Sequence, residues 1–379
     1  MPASAAWRPG VDPAGGRRFV VLDRPVELEL GGTLPAVTVA YETWGRARRD
    51  ATGRIANAVL VAHALSGDSH AAGPAGPGHP TAGWWDALIG PGRPIDTDRF
   101  HVVCPNVLGG CQGTTGPAAA APDGAPWGSR WPEVTIADQV RVEAAFGADL
   151  GIARWAAVIG GSMGGMRALE WAVAFPERVE RAVVIACGAT ATADQLGLYA
   201  AQLDAITLDP GWRGGDYHRA APGDGPHAGL GLARRLGQLS YRSEAELAAR
   251  FANRVQPDGR FAVASYLDHH AVKLARRFDA GSYLTLTRAM MTQDVGRGRG
   301  GAAAALAGCP VALTIAGVDS DRLYPLYLQR QLAAWAGAAG PTVIRSPYGH
   351  DGFLLENDQI GAVVAAALDG QAPPAGWRA

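Results

Sequence analysis

Apolar residues fall along the chain in short unbroken strings, separated by stretches with helical spacing. The strings are 58–62, 101–104, 155–159, 182–185, 311–315 and 342–345. Near-continuous apolar runs of this length suit strands of a parallel sheet covered on both faces. Between several of them, apolar positions recur three and four apart. One such stretch follows Thr135 and runs through Ala137–Phe146; another follows Ser162 and ends near Val179. Strands alternating with helices, joined by right-handed crossovers, predict a doubly wound α/β sheet.

The rhythm breaks after Cys187. From about 188 to 308 the strand-like runs vanish, and helix-like segments follow one another at 191–206, 229–239, 243–251, 261–278 and 281–291. β-like runs resume at Val311. The simplest reading is a discontinuous core domain, 1–187 with 309–379, and a helical lid inserted at 188–308. In this architecture ligands bind at the C-terminal edge of the strands, so the insertion is expected to cover that edge and exclude water.

Composition narrows the function classes. The chain has 379 residues, 48% hydrophobic and 18% charged, with a formal charge of −1. That is ordinary globular composition. A near-neutral chain offers no footprint for nucleic acid and no polybasic membrane surface, so neither partner is expected. The segment Gly296-Arg-Gly-Arg-Gly-Gly301 reads as a turn rather than an RNA-binding patch. No apolar stretch of about 18 residues or more suggests a membrane span. The first ten residues lack the apolar core of a signal peptide. Cys104, Cys111, Cys187 and Cys309 lie far apart without a C-x-x-C, so neither a disulfide framework nor a zinc site is expected. A cytoplasmic protein without a structural metal fits this usage.

The chemistry centres on Gly160-Gly-Ser162-Met163-Gly-Gly165, which follows one apolar string and opens a helical stretch. Strand, sharp turn and helix is the setting in which a serine hydroxyl stands out as a nucleophile at the top of an α/β sheet. Such a serine needs a base, and the base an orienting carboxylate, in the chain order Ser, Asp/Glu, His. The loop after 311–315 supplies Asp319 and Asp321, and the loop after 342–345 supplies His350. The spacing leaves the choice between the two aspartates open. His63, His70, His79, His101, His218, His227, His269 and His270 compete, but none combines a strand-end position with the required order. Two backbone amides would hold the oxyanion: Met163, next to the nucleophile, and Leu65, in the loop after the first strong strand.

Longer motifs surround these residues: His63-Ala-Leu-Ser-Gly-Asp-Ser-His70, Asn106-Val-Leu-Gly-Gly-Cys-Gln-Gly113, Arg277-Phe-Asp-Ala-Gly-Ser-Tyr283, Ser320-Asp-Arg-Leu-Tyr-Pro325 and Tyr348-Gly-His-Asp-Gly-Phe353. Together they resemble the homoserine O-acetyltransferase family of the α/β-hydrolase superfamily over about residues 19–368. The resemblance implies an α/β-hydrolase fold with a helical lid, and Asp321 as the triad acid. It implies Asp351 as partner of the substrate amino group, with Arg234 and Tyr241 on the lid engaging the substrate. A zwitterionic amino acid needs an anion for its ammonium and a cation for its carboxylate, and arginine suits the latter. Arg235 is adjacent, so the choice of arginine is not settled by spacing. The family further implies acetyl-CoA as a substrate rather than a bound cofactor, L-homoserine as acceptor, a role in methionine synthesis, and a homodimer through the lid helices. The chain departs from the family pattern at His270-Ala271, at Gln293 and at Gly113-Thr-Thr-Gly116. L-Serine as acceptor, succinyl-CoA as donor, a serine esterase, or a non-catalytic protein on the same fold are the alternatives.

Overall fold

A computed structural model describes residues 1–372 of the chain. Eight strands form one sheet: β1 (Arg18–Leu22), β2 (Val37–Trp44), β3 (Ala58–Ala62), β4 (His101–Pro105), β5 (Ala157–Gly161), β6 (Arg181–Ile185), β7 (Ala312–Val318) and β8 (Thr342–Ile344). Their spatial order is β1-β2-β4-β3-β5-β6-β7-β8. β2 pairs antiparallel with both β1 and β4, and the remaining pairs are parallel. β3 and β5 are buried at every position. The alternation of strand side chains explains why. Ala58, Leu60 and Ala62 enter one core while Val59 and Val61 enter the core on the opposite face.

The helices are α1 (Ile136–Asp149), α2 (Met163–Ala174), α3 (Ala193–Thr207), α4 (His227–Tyr241), α5 (Glu244–Phe251), α6 (Ala262–Ala275), α7 (Ala280–Met291), α8 (Ala302–Ala307), α9 (Leu326–Trp335), α10 (Gly352–Leu355) and α11 (Asn357–Leu368). α1 and α3 start at reciprocal caps, Thr135 with Asp138 and Thr192 with Gln195. These satisfy amide donors that a helix start would otherwise leave free. Helices α3–α8 occupy the stretch between β6 and β7, where strand patterns vanish from the sequence. The neck of this helical stretch is closed by backbone pairing: Ala191 N to Gln293 O and Val295 N to Ala189 O, both 3.1 Å.

A buried carboxylate ties the helical layer to the N-terminal segment. Asp279, fully buried, caps α7 by accepting from Ser282 N at 2.8 Å. It also accepts from Ser4 Oγ and Tyr217 OH, each at 2.6 Å, and lies 3.3 Å from His218 Nε2. Burial alone would raise its pKa, but His218 and the hydroxyl donors outweigh it and hold the group down at about 2. A carboxyl with a folded pKa below its unfolded value near ~3.9 stabilises the fold above that pH and loses this as pH falls toward the folded value. Asp279→Ala is therefore expected to lower stability by about 3–5 kcal/mol at neutral pH. In urea titrations, the gap between variant and wild type should narrow as pH falls below about 4.

Candidate active site

Ser162 sits where β5 turns into α2, and its backbone is forced into the left-handed half of conformational space, φ 57° and ψ −125°. Such strain in a non-glycine residue persists only where surrounding structure imposes it. Here Ser162 N is held by Ile185 O at 2.9 Å. The turn also brings α2 against the end of β3, and a Cβ on Gly164 would stand 2.0 Å from Ala62 O. Only glycine permits that approach.

The side chains named from sequence meet at this point. His350 Nε2 lies 2.8 Å from Ser162 Oγ, and its Nδ1 lies 2.6 Å from Asp321 Oδ2. Asp321 is fixed in turn through Oδ1, which accepts from Leu323 N and Tyr324 N, both at 2.8 Å. Asp319 instead accepts from Ser346 N on the neighbouring loop, so the geometry selects Asp321. The His350 ring is walled by Tyr324, Phe353 and Tyr241 at 5.2, 5.3 and 5.9 Å between centroids. Burial presses the His350 pKa down, but the Asp321 and Asp351 carboxylates outweigh it and the net shift is upward. Helix α3 supports this corner: Gln195 Nε2 donates to Leu323 O at 2.7 Å, and the Tyr199 and Tyr324 hydroxyls pair at 2.6 Å.

Met163 is the first residue of α2, so its amide has no acceptor within the helix. Leu65 lies in the turn closed by Gly67 N to Ala64 O at 2.9 Å. Among the described residues neither amide is committed to another acceptor. The loop carrying Leu65 is anchored from beneath, which spacing alone did not reveal. His63 Nδ1 faces Ala64 O at 2.8 Å, its Nε2 accepts from Val107 N at 3.1 Å, and its carbonyl accepts from the Arg167 guanidinium. Arg167 pairs with Glu143, which also accepts from Trp171 Nε1 at 2.8 Å. Burial and the Arg167 charge push the His63 pKa down to about 3, so the ring is neutral and works as a strut. A lone arginine on the otherwise apolar start of α2 marks Arg167 in the sequence, but not the carboxylate and carbonyl it reaches. His63→Ala is expected to lower kcat by about 10–100-fold, less than outright removal of an oxyanion donor at about 10²–10³. KM for the acyl acceptor should change little, and steady-state kinetics separate the two.

In the helical stretch after β6, Arg234 and Tyr241 share α4, with the guanidinium carbon 5.2 Å from the Tyr241 ring centre. Arg235 points elsewhere and pairs with Asp268 at 3.4 Å on the surface, which distinguishes the two arginines. Asp351 follows His350 directly. Burial raises its pKa, and the positive charges of Arg234, His350 and Arg242 offset this only in part, so the net shift is upward.

Among the described residues Glu42, His70 and His79 have metal-ligand spacing, their ligating atoms all within 4.8 Å of one another. Several of their polar atoms already have protein partners, while His79 Nδ1 has none among the described residues. His79 Nε2 accepts from Gly16 N at 3.0 Å, and Glu42 takes Ser69 Oγ at 2.7 Å and His70 Nδ1 at 3.0 Å. The cluster pins the N-terminal segment to the loop after β3.

Residues 57–356 match the model of the alpha/beta hydrolase fold family. The chain is 56% identical to a homoserine O-acetyltransferase of Thermobifida fusca over 97% of both chains. Among solved structures, a homoserine O-acetyltransferase from Bacillus anthracis superposes with a TM-score of 0.82 at 27% identity, covering 93% of this chain and 97% of that one. An esterase superposes equally well, TM-score 0.83 at 27% identity, covering 93% of this chain and 99% of that one. Fold and overall likeness to solved structures thus do not separate transferase from esterase, but identity over nearly the full length does, and the chain belongs to the homoserine O-acetyltransferase family of α/β hydrolases.

Proposed function

We propose that the protein moves the acetyl group of acetyl-CoA to the γ-hydroxyl of L-homoserine by way of an acetyl-Ser162 intermediate, giving O-acetyl-L-homoserine for methionine synthesis. The observation that carries this reading is a Ser162–His350–Asp321 hydrogen-bonded line with an anion and a cation, Asp351 and Arg234, set beside it. His350 takes the Ser162 proton as Oγ attacks the thioester carbon. The Met163 and Leu65 amides hold the tetrahedral oxyanion. The C–S bond breaks, and the CoA thiol leaves with the proton from His350. Homoserine then enters with its ammonium at Asp351 and its carboxylate at Arg234, Tyr241 lining the site. His350 removes the γ-hydroxyl proton, the oxygen attacks the acetyl carbon, and Ser162 is released with that proton. Asp321 keeps His350 in the tautomer whose Nε2 accepts.

Acetyl-CoA is a substrate in this scheme and not a resident cofactor. Residues 188–308 act as the lid, and the low exposure of Ser162 and His350 at 7% and 3% supports exclusion of competing water. No helix among the described residues is long and apolar enough to cross a membrane, and a cytoplasmic site of action fits. Association of two copies through the lid fits its exposed apolar residues Val255, Phe261 and Val272.

The likeness to an esterase structure makes water the rival acceptor. The test follows thiol release from acetyl-CoA or succinyl-CoA with L-homoserine, L-serine or no acceptor, and identifies products by mass. Fast release with acetyl-CoA and homoserine alone supports the reading. A preference for serine or succinyl-CoA keeps the mechanism and changes the pathway. Equal release without acceptor overturns it in favour of a hydrolase.

A further inference from the structure

The junction of α4 and α5 carries a charged pair that the scheme above does not use. Arg242 is gripped by Glu246, with Nη2 to Oε1 at 2.8 Å and Nε to Oε2 at 3.2 Å. Both side chains are only 9% exposed. The remaining edge of the guanidinium reaches Asp351: Nη1 lies 3.4 Å from Oδ2. Its carbon also sits 5.0 Å from the centre of the Tyr348 ring, in the same loop as His350. That loop is seated directly on this junction. Ser243 Oγ donates to Pro347 O at 2.5 Å, and a Cβ on Gly349 would stand 2.7 Å from Ser243 N and 2.8 Å from Tyr241 O.

Resting on the proposed reaction, we propose that Arg242, held by Glu246, is a positioning residue for the carboxylate that receives the acceptor's ammonium. The guanidinium fork spends two of its nitrogens on Glu246 and offers one, at long range, to Asp351. A full bidentate pair with Asp351 would neutralise the anion and occupy both oxygens. The observed arrangement engages only Oδ2, and among the described residues Oδ1 has no hydrogen-bond partner. Asp351 is thereby aimed, with one oxygen open to a further cation. Glu246 is shared: it grips Arg242 and also faces Arg250 Nη1 at 3.5 Å. A zwitterionic amino acid set between Asp351 and Arg234 adds no net charge. Removing the Glu246 charge frees Arg242 to take Asp351 fully, so that the incoming ammonium meets a cation in its place. Shortening Arg242 to lysine loses the fork that serves both carboxylates.

The test compares wild type, R242K and E246Q with two acceptors, L-homoserine and its analogue lacking the amino group, 4-hydroxybutyrate. KM and kcat are measured for each, together with the rate of Ser162 acetylation by acetyl-CoA without acceptor. The expected result is a homoserine KM raised by about tenfold or more in both variants, with acetylation and the use of 4-hydroxybutyrate changed by less than about twofold. The preference for homoserine over the deamino analogue should fall accordingly. An unchanged homoserine KM in both variants overturns the inference. So does a parallel fall in acetylation and in the use of both acceptors, which would mark a general structural role. The wild-type arm separates this failure from that of the underlying reaction: if wild type does not use homoserine at all, the proposed function fails first.

Discussion

Ser162→Ala is expected to lower acetyl transfer by about 10⁴-fold or more while leaving the protein folded. The serine is placed by the backbone and not by its hydroxyl. Its amide is fixed to Ile185 O, and the elbow is packed by close glycine contacts on either side. Deleting Oγ removes the atom that His350 activates and leaves the oxyanion amides and lid contacts in place. The residual rate would come from those amides acting on water or acceptor directly. Thermal unfolding should stay near wild type while thiol release collapses. A variant that keeps more than about a hundredth of wild-type turnover would mean that Ser162 is not the nucleophile.

Asp321→Asn should cost about the same, near 10⁴-fold in kcat, for a different reason. The amide oxygen can keep the two bonds to Leu323 N and Tyr324 N, so the loop is retained. The amide nitrogen then faces His350 Nδ1 and cannot accept its proton. The ring is driven to the tautomer with hydrogen on Nε2, which cannot receive the Ser162 proton. The pH profile distinguishes this from simple damage. Wild-type activity needs neutral His350, whose pKa is raised by Asp321 and Asp351 against the effect of burial. The acid limb of kcat/KM for acetyl-CoA should therefore lie above the ordinary histidine value of about 6.5. In the variant the carboxylate's support is gone, so the limb should move to lower pH on a much reduced plateau. An acid limb that stays in place would contradict the assigned role of Asp321.

The parts of the fold that were legible in the sequence are those buried on both faces. β3, β4, β6 and β8 match apolar strings closely because nearly all of their positions are buried; β7 runs three residues past its string, and its first residue, Ala312, is exposed. β1 and β2 were not anticipated. They form the antiparallel edge, where exposed and buried positions mix, as at Val21 and Leu22, and the run signal is lost. The fifth strand begins two residues later than its apolar string, since Trp155 only bridges to Val179 while Gly160 and Gly161 carry the strand into the elbow. Ser162 and His350 were legible because both stand at strand ends in a fixed order. That Asp321 rather than Asp319 meets His350, and that Arg234 and Arg235 face different partners, is seen only once backbone direction is known, because adjacent or near-adjacent residues diverge there. The roles of His63, Arg167 and Arg242 were not legible. His63 and Arg167 meet partners far away in sequence, and although Arg242 pairs with Glu246 four residues on, its reach to Asp351 crosses 109 residues.

The central claim is an acetyl group carried by Ser162 between two substrates. The most direct measurement mixes the protein rapidly with acetyl-CoA alone, quenches, and locates added mass by peptide sequencing, followed by a second mix with L-homoserine. The account expects one acetyl group on Ser162 in the first mix, discharged by homoserine much faster than by water, with O-acetylhomoserine formed in equal amount. An unmodified Ser162 together with full homoserine-dependent turnover would contradict it, and would mean that the acetyl group passes directly between substrates.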